Sequence, residues 1–558
     1  MTCSKIFSGG IPELTDEIIQ YLRNDYLTLC SCILVNRLWC RLAIPLLWEN
    51  PFSIPTQNYN YIKIYLSYLN EDGKAKFNEY GINNNLLTSN TLFNYPSFIK
   101  HIKLYNICLS IEKWVGTLVM KKSHEKLNEL VYRSLFEVFI GNEGNLYSLE
   151  IAISMINDFK KFYSAMELIL QNPSFIINVT NFELHVYDVP IPNIMNVITF
   201  LKFLSSNCNS ISIINFSITL CNINNSSLIG ECLYQIIGSQ RNLKIISFGS
   251  NAILSTPFLL LKNSNCSNTL NTIIFQNIDF KNITSILQEV FDHLDVLETI
   301  HIIYCHSLNS DFVQQIIKVK NPIKLRSLFT DEILHTESLQ LLIQKFSASL
   351  ENFGFGFMDD EYNEYNESNE PKHQLFKSIM KYCKKIRYFD PGIPDDNNIY
   401  LFIENNQQNI NYLTIEVDEY NYYTIFGDFS IDVLENLGQV LPPKLEYLCL
   451  SLSFMAYYFE IFLKNSQNTF IKNLLITNII RNNVQDDILF YIKEYIMKKE
   501  RVKYLAFLES YSITCNDDKE LFSLEDEVNE FKLHNIIVKK YYNLYITANK
   551  LVHDGLEF

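Results

Sequence analysis

A short apolar signature that returns along most of the chain constrains its fold more than any other feature. The signature reads apolar-x-x-apolar-x-apolar, and a polar or turn residue usually follows it. Fourteen copies give thirteen steps of about 31 residues on average, which an apolar chain of random order would not maintain. The copies begin at Ile99, Leu146, Val179, Ile211, Leu243, Leu270, Leu297, Leu325, Leu350, Ile386, Ile410, Leu445, Ile471 and Val502. The copies at Leu325 and Ile386 are incomplete.

The segments between the signatures have the periodicity of amphipathic helices. We therefore predict a repeated unit of one strand and one helix. Because a helix separates successive strands, the strands must pair in parallel, and the sheet is expected to curve. The long step from Ile99 to Leu146 predicts one further, divergent unit. The clearest helical faces are Ile194, Val197, Ile198 and Leu201; Leu339, Leu342, Ile343 and Phe346 after a cap at Thr336; and Val433, Leu434, Leu437, Val440 and Leu441 before Pro442-Pro443.

The first fifty residues have a different pattern, typical of short packed helices. Thr15 is a predicted N-cap, followed by two acidic residues that suit a helix N-terminus. Asn24-Asp25 marks a turn, two further helices follow, and Pro45 is expected to interrupt the last of them. A helical unit this small rarely stabilises itself, so an adjoining domain or a partner must cover part of its apolar surface.

This segment resembles the F-box motif. The match rests on Ile11-Pro12-Glu13-Leu14, Glu17-Ile18-Ile19, Leu22, Leu29, Val35-Asn36-Arg37, Trp39 and Leu47-Trp48. The usual motif opens with Leu-Pro and has Cys or Ser before the Arg, where this chain has Ile11 and Asn36. The resemblance covers roughly forty residues, about 7% of the chain.

The resemblance implies that the helices dock a Skp-type adaptor bound to the cullin scaffold of a ubiquitin ligase. By similarity, the residues that face the adaptor are Ile11, Pro12, Leu14, Ile18, Leu22 and Leu29. Those that hold the helical unit together are Val35, Trp39 and Trp48. In the alternative interpretation, all of these residues form the core of a helical cap on the repeats.

The repeats are similar to the leucine-rich repeats found in F-box proteins, although they lack the Asn that normally follows the strand. The predicted class is therefore α/β, with an N-terminal helical F-box followed by a curved, leucine-rich-repeat-like solenoid of strand-helix units. The predicted domains are the F-box over residues 1–50, a helical linker and N-terminal cap over residues 51–98, the solenoid over residues 99–530 and a C-terminal cap over residues 531–558.

A curved parallel sheet exposes a wide concave face, which suits a protein ligand better than a small molecule. Side chains between the apolar strand positions point to that face, where they either contact a target or are merely solvated. The candidate target-binding residues are Lys103, Glu183, His185, His301, Glu416 and Ser451. The acidic segment 359–370 is expected to form a loop, and it is a candidate clasp for a basic target.

Composition excludes several classes of partner. A formal net charge of −15 argues against nucleic acid and anionic membranes. The N-terminus lacks the pattern of a signal peptide, and about eighteen uncharged apolar residues never run consecutively, so we expect a protein of the cytoplasm or nucleus. The 13 cysteines have no framework spacing and are expected to be reduced and mostly buried.

Known catalytic patterns are missing, and we predict no catalytic residue, metal or cofactor. Gly354-Phe355-Gly356 lacks the rest of a nucleotide-binding fingerprint. Cys30 and Cys32 have the wrong spacing for a zinc knuckle, and Cys305-His306 is an adjacent pair that cannot ligate one metal without a turn. The predicted function is a substrate adaptor that performs no chemistry itself. The alternatives are a scaffold that binds proteins without a ligase and, third, an enzyme whose catalytic residues meet only in space.

Overall fold

The computed structural model describes residues 12–54, 58–82, 87, 91–118, 124–154, 156–187, 191–219, 223–249, 255–263, 266–331, 333–355, 370–392, 397–416, 427–480, 488–510 and 518–555. Packing divides the chain into two compact units. Unit 1 comprises residues 1–272 and 293–296, and unit 2 comprises residues 273–292 and 297–558.

Unit 1 begins with three helices, α1 (Pro12–Tyr21), α2 (Tyr26–Cys32) and α3 (Arg37–Leu47). Asp25 caps α2 by accepting from the Thr28 N–H at 3.1 Å, and Asn36 caps α3 by accepting from the Trp39 N–H at 3.0 Å. Both caps satisfy backbone donors that a helix start leaves unpaired.

Two details of this region differ from the sequence prediction. Helix α1 starts at Pro12, whose fixed φ suits the first turn, so Thr15 lies buried inside the helix and is not its cap. Pro45 lies within α3 and does not interrupt it. Because Leu46 and Leu47 beside it are buried in the core, their packing offsets the one helical hydrogen bond that a proline cannot make.

The next segment contains α4 (Tyr61–Leu66) and α5 (Glu71–Ala75), together with 3₁₀ turns at Pro51–Ser53, Lys76–Tyr80 and Tyr95–Phe98. Ile62, Tyr65, Leu66 and Leu69 are buried, which confirms the apolar face predicted for this segment. The Trp48 ring packs edge-on against Tyr65 at 5.3 Å between centroids, and Tyr65 packs in the same way against Phe139 of the first repeat. The N-terminal helices and the first repeats therefore share a core.

The repeats of unit 1 alternate strands and helices. Strands β1 to β5 pair in parallel and in chain order. The strands are β1 (His101–Lys103), β2 (Ser148–Ile153), β3 (Asn181–Tyr187), β4 (Ile213–Thr219) and β5 (Ile245–Gly249). The helices are α6 (Leu104–Gly116), α7 (His124–Gly141), α8 (Ile156–Gln171), α9 (Ile191–Asn207), α10 (Ile223–Ser239) and α11 (Ser255–Leu260), with 3₁₀ turns at Pro173–Phe175 and Leu261–Asn263.

Unit 2 continues the same alternation. Strand β6 spans Thr272–Gln276. Its first residue is assigned to unit 1 and the other four to unit 2. The later strands are β7 (Thr299–Ile303), β8 (Lys324–Thr330), β9 (Asn352–Phe355), β10 (Tyr388–Asp390), β11 (Tyr412–Glu416), β12 (Lys444–Leu452), β13 (Phe470–Ile479), β14 (Val502–Ser510), β15 (Lys519–Glu520) and β16 (Ile537–Val538). The helices are α12 (Thr284–Asp292), α13 (Ser310–Lys318), α14 (Thr336–Phe346), α15 (Glu370–Tyr382), α16 (Asn398–Asn405), α17 (Gly427–Val440), α18 (Ala456–Asn465), α19 (Ile488–Ile492), α20 (Glu525–Leu533), α21 (Tyr541–Leu544) and α22 (Ala548–Asp554). A π-helical turn at Lys493–Met497 extends α19, and 3₁₀ turns lie at Phe280–Asn282 and Leu521–Ser523.

Strands β7 to β14 also pair in parallel and in chain order. Beyond them, β15 pairs antiparallel with β14, whereas β16 pairs parallel with another part of β14. Both units are thus parallel α/β arrays, as predicted. Within the predicted C-terminal cap, β16 pairs with β14 at the sheet edge, and residues 541–554 lie against a face of the sheet.

All apolar positions of the predicted signatures are buried, so the signature marks the strand residues that form the core. We call the face to which they point the signature face, and the face to which the residues between them point the opposite face. The step from Ile99 to Leu146 contains β1 and two helices, α6 and α7, and no second strand among its described residues. The prediction of a hidden divergent unit is therefore wrong, because β1 pairs directly with β2 and the two helices form the connection between them.

Side-chain amides at helix ends take the place of the missing repeat Asn. The buried Gln240 side chain accepts from the Ile211 N–H at 2.9 Å and donates to the carbonyls of Cys208 and Ile236. Asn406 similarly donates to the Phe402 carbonyl at 2.9 Å. The Cys208 thiol donates to the carbonyl of Ile176 in the preceding repeat. These bonds satisfy backbone groups that the turns would otherwise bury unpaired.

Candidate protein-interaction surfaces

The N-terminal helices bury one side and leave apolar groups on the other. Their core contains Ile19, Leu29, Cys32, Trp39, Ala43, Leu46 and Leu47. Of the predicted adaptor-facing residues, Leu14, Ile18 and Leu22 are partly exposed. Leu29 is only 1% exposed and belongs to the core. Ile11 and the side chain of Pro12 lie outside the described residues.

The residues predicted to hold this helical unit together differ in how far they are buried. Trp39 is buried, and Trp48 is partly buried against Tyr65 and Tyr95. Val35 is 44% exposed, which corrects its predicted place in the core. Its position in the turn between α2 and α3 explains the difference, since side chains in a turn have no neighbouring helix to cover them.

Sequence reasoning missed the most exposed apolar side chains of this region. Leu27 is 70% and Leu34 88% exposed, and Tyr21 and Tyr26 are exposed as well. We name Leu14, Ile18, Tyr21, Leu22, Tyr26, Leu27, Leu34 and Val35 together the N-terminal apolar residues. A single exposed apolar residue is ordinary, but five exposed and three partly exposed ones within 22 positions are a concentration typical of contact surfaces. The five exposed residues lie at helix ends and in turns, where periodicity carries no signal.

The opposite face of unit 1 carries three of the predicted target-binding residues. Lys103 on β1 forms an ion pair with Glu150 of β2 at 2.6 Å between Nζ and Oε2. Glu183 and His185 on β3 are partly exposed, and the Glu183 carboxylate accepts from Asn215 of β4 at 3.4 Å. Register places Lys103, Glu150 and Glu183 in one polar row across neighbouring strands, and His185 lies beside Glu183 in the next row. We name these four residues the polar row.

The three candidates of unit 2 are covered to different degrees. His301 is only 3% exposed, and burial lowers the pKa of its ring to about 3, so the ring is neutral. Its Nδ1 lies 2.8 Å from the hydroxyl oxygen of Ser327. Ser451 is partly buried on β12. His301 is therefore not an accessible target contact in this conformation.

Glu416, the third candidate, is engaged by the chain itself. Its carboxylate accepts from the Tyr545 hydroxyl at 3.0 Å and from the Cys449 thiol at 3.3 Å. Burial raises the pKa of Glu416, while these two bonds favour its ionised form. The predicted target-binding position is occupied by a residue 129 positions later in the sequence.

Tyr545 belongs to a stretch, residues 541–554, that we name the C-terminal segment. Its residues Tyr541 and Leu544 are buried in a cluster with Tyr447, Cys449, Leu475 and Ala506. The last helix of the segment, α22, contacts β7. The C-terminal segment therefore covers much of the opposite face of unit 2, which sequence periodicity could not show.

Neither a metal site nor a membrane span is found in the described part of the chain. No three His, Cys, Asp or Glu side chains there are grouped to hold a metal. No helix there combines the length and the apolar character needed to cross a bilayer. None of the ten cysteines in the described ranges forms a disulfide, and seven of them are buried, in agreement with the prediction.

The Gly354-Phe355-Gly356 sequence has a packing explanation. A Cβ atom on Gly354 would lie 2.8 Å from the Phe329 ring and 2.9 Å from Asp390, so only glycine fits between these neighbours. Gly356 and the acidic residues 359–369 lie outside the described residues, and the clasp hypothesis stays a prediction. Compared with known proteins, the chain matches no protein-family model and no curated protein.

Proposed function

We propose that this chain is the substrate-recognition adaptor of an SCF-type cullin-RING ubiquitin ligase. In this proposal residues 1–50 are an F-box that docks a Skp-type adaptor, and the repeats are a leucine-rich-repeat-like solenoid that binds the target protein. The observation that carries this proposal is the set of N-terminal apolar residues. Their side chains are exposed or partly exposed within the segment that resembles the F-box motif.

The attachment of the N-terminal helices to the repeats supports the same proposal. The buried Glu49 carboxylate bonds to Lys100 next to β1, and Trp48 packs against α4. A docking module fixed in this way would hold the first repeats in one position relative to the ligase. Ubiquitin transfer is catalysed by other subunits, and the adaptor accelerates it by raising the effective concentration of target lysines near the charged carrier enzyme.

The polar row of unit 1 is the proposed target contact. Lys103, Glu183 and His185 offer charged and hydrogen-bonding groups that suit a protein surface, and the proposal needs no cofactor, nucleic acid or membrane. We place this activity in the cytoplasm or nucleus, where such ligases operate.

The test is co-purification of the full chain with a Skp-type adaptor. The double variant Leu14→Glu/Ile18→Glu should lose the association, because it places charges among the N-terminal apolar residues. Leu524→Glu, an equally apolar site that is 49% exposed in unit 2, is the matched control and should retain it. If the unaltered chain fails to bind the adaptor, the protein is better described by the alternative, a scaffold that acts without a ligase.

A further inference from the structure

The C-terminal segment has the contacts of a bound peptide. It attaches to unit 2 through four polar contacts and an apolar cluster. Tyr545 donates to Glu416 at 3.0 Å, the Ile546 N–H donates to the Tyr447 hydroxyl at 3.2 Å, and the Tyr541 hydroxyl lies 3.5 Å from the Cys449 thiol. The Tyr541 N–H donates to the carboxylate of Glu520 on β15. Tyr542, on the other side of the short helix α21, is 82% exposed. The segment is thus held from one side only.

The sheet face beneath the C-terminal segment carries apolar side chains that are buried. Register pairing aligns Cys449, Leu475 and Ala506 in one row across β12, β13 and β14. All three are fully buried although they point away from the signature face. A neighbouring row carries Tyr412 and Tyr447. Exposing an apolar row of this kind is unfavourable, so the face requires an occupant.

The C-terminal segment can leave without breaking a strand. Ile537 and Val538 of β16 pair with β14, and the segment begins at Tyr541, with only two residues between them. The Lys539 N–H bonds to the Leu505 carbonyl, which ends the pairing to β14. The linker is therefore a natural hinge between a paired strand and a peptide held by side chains.

The segment also leaves one polar group of this face unused. His301 Nδ1 lies 2.8 Å from the Ser327 hydroxyl oxygen, which also accepts from the Asn352 amide at 2.8 Å. The other ring nitrogen, Nε2, is buried and has no hydrogen-bond partner among the described residues. An occupant with a hydrogen-bonding group at this position would remove the cost of that unpaired nitrogen.

We propose that the opposite face of unit 2 is a binding site for a short segment of another protein that begins with a helical turn, and that the C-terminal segment competes for it. The partner carries two aromatic side chains four residues apart, the second with a hydroxyl for Glu416, followed by an aliphatic residue whose N–H bonds to Tyr447. Further along, it offers a hydrogen-bonding group to His301 Nε2. This inference goes beyond the proposed function and does not depend on a ligase.

The probe is a fluorescein-labelled peptide with the sequence of residues 540–555, measured by anisotropy against the full chain. A tethered segment has an effective concentration on the order of millimolar, so the unaltered chain should exclude the peptide. The variant Tyr541→Ala/Tyr545→Ala should bind it at least about tenfold more tightly, because its own segment is weakened. Tyr542→Ala is the matched control and should behave as the unaltered chain. A peptide lacking both tyrosines should not bind.

A second measurement reports whether the variant is folded. Alkylation of Cys449, read by mass spectrometry, should accelerate when the segment leaves, whereas Cys305, buried in the same unit, should stay protected. If both thiols react, the variant has unfolded, and Tyr545→Phe replaces it, since that change removes only the hydroxyl. Tighter peptide binding by a folded variant supports the proposal, and its failure to bind overturns it. Self-association without peptide binding would assign the face to a second copy and would also overturn it.

Discussion

Glu49 and Lys100 are joined twice, once by their side chains and once by their backbones. The Lys100 ammonium lies 2.7 Å from the Glu49 carboxylate, and the Lys100 N–H donates to the Glu49 carbonyl at 3.0 Å. The carbonyl of Lys100 in turn accepts from the N–H groups of Tyr147 and Ser148 at the start of the next strand. The end of the N-terminal helices thus forms the first rung of the hydrogen-bond ladder of unit 1.

We predict that Lys100→Met lowers the free energy of unfolding by about 2 kcal/mol, because it leaves a buried carboxylate with only Arg23 at 3.6 Å. Glu49→Gln should cost about 1 kcal/mol, since its two partners are half exposed and can be hydrated. Urea unfolding followed by tryptophan fluorescence measures both.

The double variant should cost less than the sum of the two changes, because the second change removes a group already left unpaired. Arg133→Met, which breaks two exposed pairs in the same unit, with Glu137 and Glu167, is the control and should change stability by less than about 0.5 kcal/mol. Strict additivity of Lys100→Met and Glu49→Gln would contradict the coupling.

Gln240 should be the most sensitive of the helix-end amides. Gln240→Leu keeps the volume but leaves the Ile211 N–H and the Cys208 carbonyl buried and unpaired, at a cost of roughly 2 to 4 kcal/mol. Gln439 makes a similar bond to the carbonyl four residues before it but is exposed. Thermal unfolding of Gln439→Leu should therefore match the unaltered chain, and equal losses in the two variants would refute the bridging role of Gln240.

We predict that titration of the Asp390 carboxyl makes the stability of the protein depend on pH. Burial, followed by repulsion from Glu416, raises the pKa of Asp390 to about 8. An unfolded aspartate ionises near 3.9, so between about pH 4 and 8 the folded state holds a proton that the unfolded state has lost. Its contribution to stability is therefore greatest at low pH and declines as the pH rises through about 8.

The change Asp390→Asn removes this titration and keeps the oxygen that accepts from the Gly392 N–H. The melting temperature of Asp390→Asn relative to the unaltered chain should rise steadily from about pH 5 to about pH 8. Asp432→Asn, an exposed site on α17, should show a constant difference over the same range. A constant difference for Asp390→Asn as well would show that this carboxyl ionises normally.

The signature positions make a further prediction about the core. Leu413 is fully buried on β11, and Leu413→Ala should lower the free energy of unfolding by about 2 to 5 kcal/mol, because a cavity remains on the signature face. Leu401 of α16 is half exposed in the same unit, and Leu401→Ala should change the free energy of unfolding by less than about 0.5 kcal/mol. Chemical denaturation of both variants checks the contrast.

Local sequence was sufficient to predict the structure wherever a residue's position depends on its near neighbours. The signature placed every strand from β1 to β14, because alternate positions of a strand point to opposite faces and one face must be apolar. The helical stretch before Pro442 was found for the same reason. Thr15 and Pro45 were misread because the positions of helix ends depend on packing as well as on local preference.

Periodicity over about thirty residues was enough to predict the repeated strand and helix, the parallel pairing and the burial of the signature face. Which polar positions of the opposite face are covered became clear only from the folded chain. Glu416 and Tyr545 are 129 residues apart, yet the stacking of repeats brings them within 3.0 Å. Such a contact depends on how many units lie between two residues and where the chain turns back, and no local pattern records either quantity.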